Sequence, residues 1–127
     1  MKDEVKKIKS IADPVRIRIL KVLLLSKTEL CVCEIVDSLK IPFYTISRHM
    51  KELRDSGILE ETRDGKFILY NIAKPGDSFS SKLIALLKAF PDEDLEKDRQ
   101  FLAKRLAMRE NGKCVIGIKC SSKTRKK

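Results

Sequence analysis

Two cysteines two positions apart, Cys31 and Cys33, and two more near the end of the chain, Cys114 and Cys120, are the residues with the most chemistry to offer. A deprotonated thiol is a soft ligand and a nucleophile. The chain opens on Met1-Lys2-Asp3-Glu4, charged in both signs and without the apolar stretch of a secretory signal, so a cytoplasmic location is expected. Thiols stay reduced there, and clustered cysteines then read as metal-binding or redox-active rather than as a disulfide framework. His49 is the single histidine, which excludes zinc sites needing two or more histidines within one chain. A cysteine enzyme needs a base beside its thiol. His49 falls outside the cysteine segment, so no enzymatic activity is expected.

The elements that must position these thiols follow from apolar spacing. Residues 4–11 carry Val5, Ile8 and Ile11 at helical intervals. Asp13-Pro14 reads as an N-cap followed by proline at the first helical position, opening a second helix that ends near Ser26-Lys27. A third helix is expected from Thr28 or Glu29 to about Leu39, carrying both Cys31 and Cys33. A break at Lys40-Ile41-Pro42 separates it from a fourth, residues 43–55, whose buried stripe is Ile46, Met50 and Leu53. Gly57 follows as a helix stop. The period then changes: residues 58–63 and 67–72 read as strands flanking Asp64-Gly65-Lys66, with Asp-Gly as the hairpin turn and both central residues at positive φ. Two more helices are expected, residues 79–90 and about 92–110, closed by Gly112.

Two short helices joined by a tight break and followed by a hairpin describe a winged helix-turn-helix, mainly α with a small β-hairpin. The chain divides into 1–91, the DNA-binding and dimerisation domain; 92–112, a C-terminal helix; and 113–127, a basic tail with two cysteines. No apolar run is long enough to span a membrane. Net charge is +10, which points to an anionic partner, yet six of those cations lie in residues 113–127 without an acid, leaving a body at +4.

In such a motif the second helix buries one stripe and offers the other to the major groove. Tyr44, Thr45, Ser47, Arg48, His49 and Lys51 lie on or beside the outer face. Arg48 can engage guanine in a bidentate manner, and short hydroxyls can bond base edges or phosphates. Arg63 and Lys66 flank the wing turn, suited to phosphate or minor-groove contact. Acids and bases balance over residues 42–72, so placement, not charge, argues for DNA. On pattern alone Arg48 and Lys51 also fit as ordinary surface charges, and His49 fits helix packing as well as DNA contact.

The stretches Ala12-Asp13-Pro14-Val15-Arg16-Ile17-Arg18-Ile19-Leu20, Glu29-Leu30-Cys31-Val32-Cys33-Glu34-Ile35 and Ser47-Arg48-His49-Met50-Lys51-Glu52-Leu53-Arg54-Asp55-Ser56-Gly57-Ile58-Leu59 closely resemble the ArsR/SmtB family, over about residues 8–72. The resemblance implies a dimeric winged-helix repressor released from DNA by metals. Its interface would be the first helix and the helix at 78–90. Glu29-Leu30-Cys31-Val32-Cys33 resembles the thiolate box of the arsenic-sensing and the cadmium/lead-sensing members. Many arsenic sensors place a third cysteine three positions after the second; here that position is Val36. A second sensor site known in the family, built from Asp, His and Glu on the helix after the wing, is absent, since residues 79–90 contain none of these.

On a regular helix Cys31 and Cys33 would stand about 200° apart and could not share an ion unless the helix unwound. That conflict suggests a switch in which DNA favours the regular helix and an ion the distorted one. Two thiolates are too few for most ions, so Cys114 or Cys120, from the same or the partner chain, is expected to complete a three-sulfur site. A separate site of Cys114 and Cys120 also stands open, as does the reading that Cys31 and Cys33 are small core residues. Three sulfurs suit trivalent arsenic or antimony as effector, then cadmium or lead; no permanent cofactor is expected. The expected protein is thus a homodimeric DNA-binding repressor, released from its operator by a thiophilic ion. A disulfide-switched repressor is the alternative.

Overall fold

The computed structural model describes residues 1–91 and 95–109. Helix α1 (Lys2–Ile11) leads into α2 (Pro14–Ser26), a two-residue strand β1 (Leu30–Cys31), α3 (Val32–Leu39) and α4 (Phe43–Asp55). Strands β2 (Leu59–Asp64) and β3 (Phe67–Ile72) form the hairpin, followed by α5 (Ser78–Ala89) and α6 (Glu96–Leu106). All strand pairs are antiparallel, in the order β1-β3-β2.

Local chemistry accounts for most boundaries. The Asp13 carboxylate accepts from the Val15 and Arg16 amides at 2.9 and 3.1 Å, and Pro14 sits where no amide donor is needed. Lys27 and Lys40 stop α2 and α3 in the left-handed conformation, at φ 56° and 59°. Lys40-Ile41-Pro42 is then the tight turn between α3 and α4. Ile19, Leu20, Val22, Leu30, Ile35, Ile46 and Leu53 are excluded from solvent and form the centre of the core, to which α2, α3 and α4 each present a stripe.

Two expectations need correction. The third helix begins at Val32, not at Thr28 or Glu29. Cys31 is its N-cap, in extended backbone (φ −87°, ψ 165°), because Leu30 and Cys31 pair with Tyr70 and Leu69 of the wing. The hairpin turn is shifted by one residue. Asp64 pairs with Phe67, so the two turn residues are Gly65 and Lys66, and of these only Gly65 has positive φ, 62°. That is the primed turn with glycine at its first central position, whose twist matches the strands. The last helix runs over Glu96–Leu106; residues 92–94 and 110 of the expected span lie outside the described residues.

Helix α6 packs along α3. Arg105 reaches Asp37 of α3 at 2.6 Å, and Asp98 takes both nitrogens of an Arg18 fork from α2 at 2.8 and 2.9 Å. Lys21, itself buried, donates to the carbonyls of Lys88 and Phe90 at the end of α5. The elements after the wing are thereby tied to the helix-turn-helix by charge as well as by apolar contact.

Candidate nucleic-acid interface and thiol site

Helix α4 buries Ile46, Met50 and Leu53 and turns the rest outward. Tyr44 is 64% exposed, Arg48 and Lys51 are exposed, and Thr45 and Ser47 are partly so. Tyr44, Ser47, Arg48, Lys51 and Arg54 line a cleft of about 290 Å³ against Tyr70 of the wing. Arg63 and Lys66 project from the exposed hairpin end. The cleft is basic, concave and bounded by the second helix of the motif, a surface suited to a phosphate backbone.

His49 faces a different way from its neighbours. Its Nδ1 accepts from Arg16 Nε at 3.0 Å, and the same arginine donates to the Ser10 carbonyl at 3.2 Å. Burial is the main cause that holds the His49 pKa below its ordinary value; the cations Arg16 and Arg48 add to it and Asp13 opposes it. His49 therefore joins α4 to the start of α2.

A second link was not foreseen. Arg54 of α4 pairs with Glu61 of β2 at 3.3 Å, and Glu61 stands opposite Tyr70 on β3. Burial, with Glu61 beside it, raises the Tyr70 pKa. The angle between the recognition helix and the wing thus has an ionic strut. Only the opposite charges of Arg54 and Glu61 hinted at it.

Both cysteines of the pair are buried, Cys31 at 3% and Cys33 at 8% exposure. Cys31 is the N-cap of α3 and Cys33 the second residue of its first turn. Since Cys31 lies outside the helix, the 200° separation expected for a regular helix does not apply. Glu34, fully buried, completes a capping box: its Oε1 accepts from the Cys31 amide at 3.1 Å, while the Cys31 side chain faces the Glu34 amide. The Cys-x-x-Glu spacing was visible in the sequence, but cysteine is not among the usual capping residues. Cys31 is disulfide-bonded. Cys114 and Cys120 lie outside the described residues. Among the described residues no group of three His, Cys, Asp or Glu gathers around one point.

Residues 13–61 match the model of the bacterial regulatory proteins of the arsR family. An uncharacterised HTH-type transcriptional regulator of Methanocaldococcus jannaschii is 42% identical over 64 residues, half of this chain and 71% of that protein. The arsenical resistance operon repressor of Escherichia coli is 39% identical over 77 residues, 60% of this chain and 64% of that protein. Among solved structures, a homodimeric winged helix-turn-helix DNA-binding domain from Mycobacterium bovis superposes with a TM-score of 0.58 at 28% identity, covering 75% of this chain and 83% of that one. The matched segment runs from the Asp13 cap through the cysteine pair and the recognition helix into the first wing strand. By this match and these likenesses the chain belongs to the arsR family of bacterial regulatory proteins.

Proposed function

We propose that this protein is a homodimeric, cytoplasmic transcriptional repressor that binds operator DNA through α4 and the wing and releases it when a thiophilic ion, trivalent arsenic or antimony before cadmium or lead, binds Cys31, Cys33 and either Cys114 or Cys120. The observation that carries this reading is the position of the cysteine pair. It stands where α3, the first helix of the DNA-reading unit, meets the strand that pairs with the wing.

Trivalent arsenic takes three thiolates by exchanging hydroxide for sulfur, each thiol proton leaving in water, with no change of oxidation state. Ligation that drew Cys31 toward Cys33 would pull on the Leu69 pairing and on the first turn of α3 together. DNA favours one arrangement of wing and α4, the ion another, and that difference is what a switch requires. The switch is a displacement of the α3 start and the wing strand rather than the unwinding of a helix. The similarity to the arsenical resistance operon repressor supports arsenic as effector. Exposed apolar residues on α1 and α5, Ile8 at 50% and Leu86 at 52%, support a dimer face there, as does the similarity to the homodimeric Mycobacterium bovis domain. Tyr44, Thr45, Ser47, Arg48, Lys51, Arg63 and Lys66 are the proposed DNA contacts, and His49 holds α4 in place behind them.

The test is operator binding followed by fluorescence anisotropy. Cys31→Ser and Cys33→Ser are expected to bind operator as the wild type does and to ignore arsenite. The wild type should lose affinity by about 5- to 150-fold, the usual span of allosteric coupling. Arsenite release retained in both variants would remove the site. The disulfide at Cys31 favours a second reading, a repressor switched by oxidation, in which two thiols give two electrons and two protons to an oxidant such as diamide. Release by diamide but not by arsenite would select it.

A further inference from the structure

Glu34 is a carboxylate with no exposure to solvent, one residue after Cys33, and both of its oxygens accept hydrogen bonds. Arg109, just beyond the end of α6, clasps it with two nitrogens, Nε to Oε2 at 2.6 Å and Nη2 to Oε1 at 2.8 Å. The same Nη2 donates to the Glu29 carbonyl at 2.7 Å, and the same Oε1 accepts from the Cys31 amide. One arginine from the far end of the chain thus holds the main chain on one side of Cys31 directly and its amide through one carboxylate. Two further ionic tethers of α6 run to other partners, Arg105 to Asp37 and Asp98 to Arg18.

A buried ion pair is a poor source of stability, because desolvation offsets much of the attraction. Its geometry here is specific in another way: a bidentate fork fixes both distance and orientation.

We infer that Glu34 and Arg109 are positioning residues of the thiol site: the pair fixes the Cys31 backbone at the start of α3. This rests on the thiol reading above, and the experiment has one arm that does not.

Fully reduced, ion-free protein is alkylated with iodoacetamide and the rate at Cys31 is read by mass spectrometry; arsenite affinity is measured in parallel. Arg109→Met is expected to speed alkylation of Cys31 several-fold and to weaken arsenite binding by about 10- to 100-fold, the range for partners that orient metal ligands. Arg109→Lys should recover part of both. Should Arg109→Met alone not fold, the Glu34→Gln/Arg109→Met double variant, which leaves no unpaired buried charge, carries the same expectations. Asp98→Asn, which loosens α6 away from the cysteines, should change neither. Wild-type alkylation in the Arg109 variants, or an equal effect of Asp98→Asn, overturns the inference. A wild-type protein that takes no arsenite overturns the function proposed above, while the alkylation rates still decide the role of the pair.

Discussion

At the scale of single residues, position within an element decides which polar groups are available to a partner. Arg48 and His49 are neighbours on α4, yet Arg48 is exposed while the His49 ring accepts from Arg16. An accepting Nδ1 requires the neutral ring, and protonation would set two cations face to face. Because folding lowers the His49 pKa, the unfolded chain takes up a proton first as pH falls. The stabilisation is therefore present above the ordinary histidine value, about 6.5, and is lost as pH falls through the lower folded value. Urea unfolding of the wild type should weaken across that window, and His49→Gln, which offers Arg16 an acceptor that does not titrate, should remove that part of the pH dependence. An unchanged pH profile in His49→Gln would show that another group is responsible. Arg48→Ala touches no such packing, so it should lose operator affinity at unaltered stability, in the range of about 1–3 kcal/mol if it reads a base.

At the scale of elements, the wing turn allows a clean test of backbone against contact. A β-carbon added to Gly65 would meet nothing within 4 Å, yet the residue holds φ +62°. Gly65→Ala should therefore cost about 1 kcal/mol through left-handed strain alone, read as a lower urea midpoint at unchanged slope. A loss within error of zero would mean that the turn relaxes into another type. The same hairpin shows what a sequence displays and what it withholds. Its strands were legible because alternation in Phe67–Ile72 is a local signal, and α2 and α4 because caps and apolar stripes lie within one element. The start of α3 was not legible. Strand β1 is two residues long and exists only because Leu30 and Cys31 meet Tyr70 and Leu69 across some forty positions. Likewise the grip of Arg109 on Glu34 joins residues 75 apart, and nothing local to either announces the other. The cysteine pair itself was evident from composition and spacing; its extended backbone was decided by the wing.

At the scale of the whole molecule, the question is how one recognition helix becomes an operator-binding protein. The exposed apolar residues Val5 and Ile8 lie on α1 and Leu86 on α5, elements that flank the helix-turn-helix without being part of it. Lys7 of α1 donates to Ser80 of α5 at 3.3 Å, so the two helices are linked within one chain. A second copy that covered this face would bury the apolar residues and set two α4 helices at a fixed spacing, which a two-fold operator requires. Placing a charge there separates assembly from folding, since Ile8 is half exposed and contributes little to the monomer's core. Ile8→Glu is expected to shift sedimentation from dimer to monomer while far-ultraviolet circular dichroism stays as in the wild type. Operator affinity should then fall by more than Arg48→Ala alone causes, because each half-site loses the other as well as its own fit. The salt dependence should change in step: the slope of log affinity against log salt scales with the phosphates engaged, so a monomer should show about half the slope of the dimer. A monomeric Ile8→Glu protein that kept the full slope and affinity would mean that one chain suffices to bind the operator, and the dimer would have no part in DNA recognition.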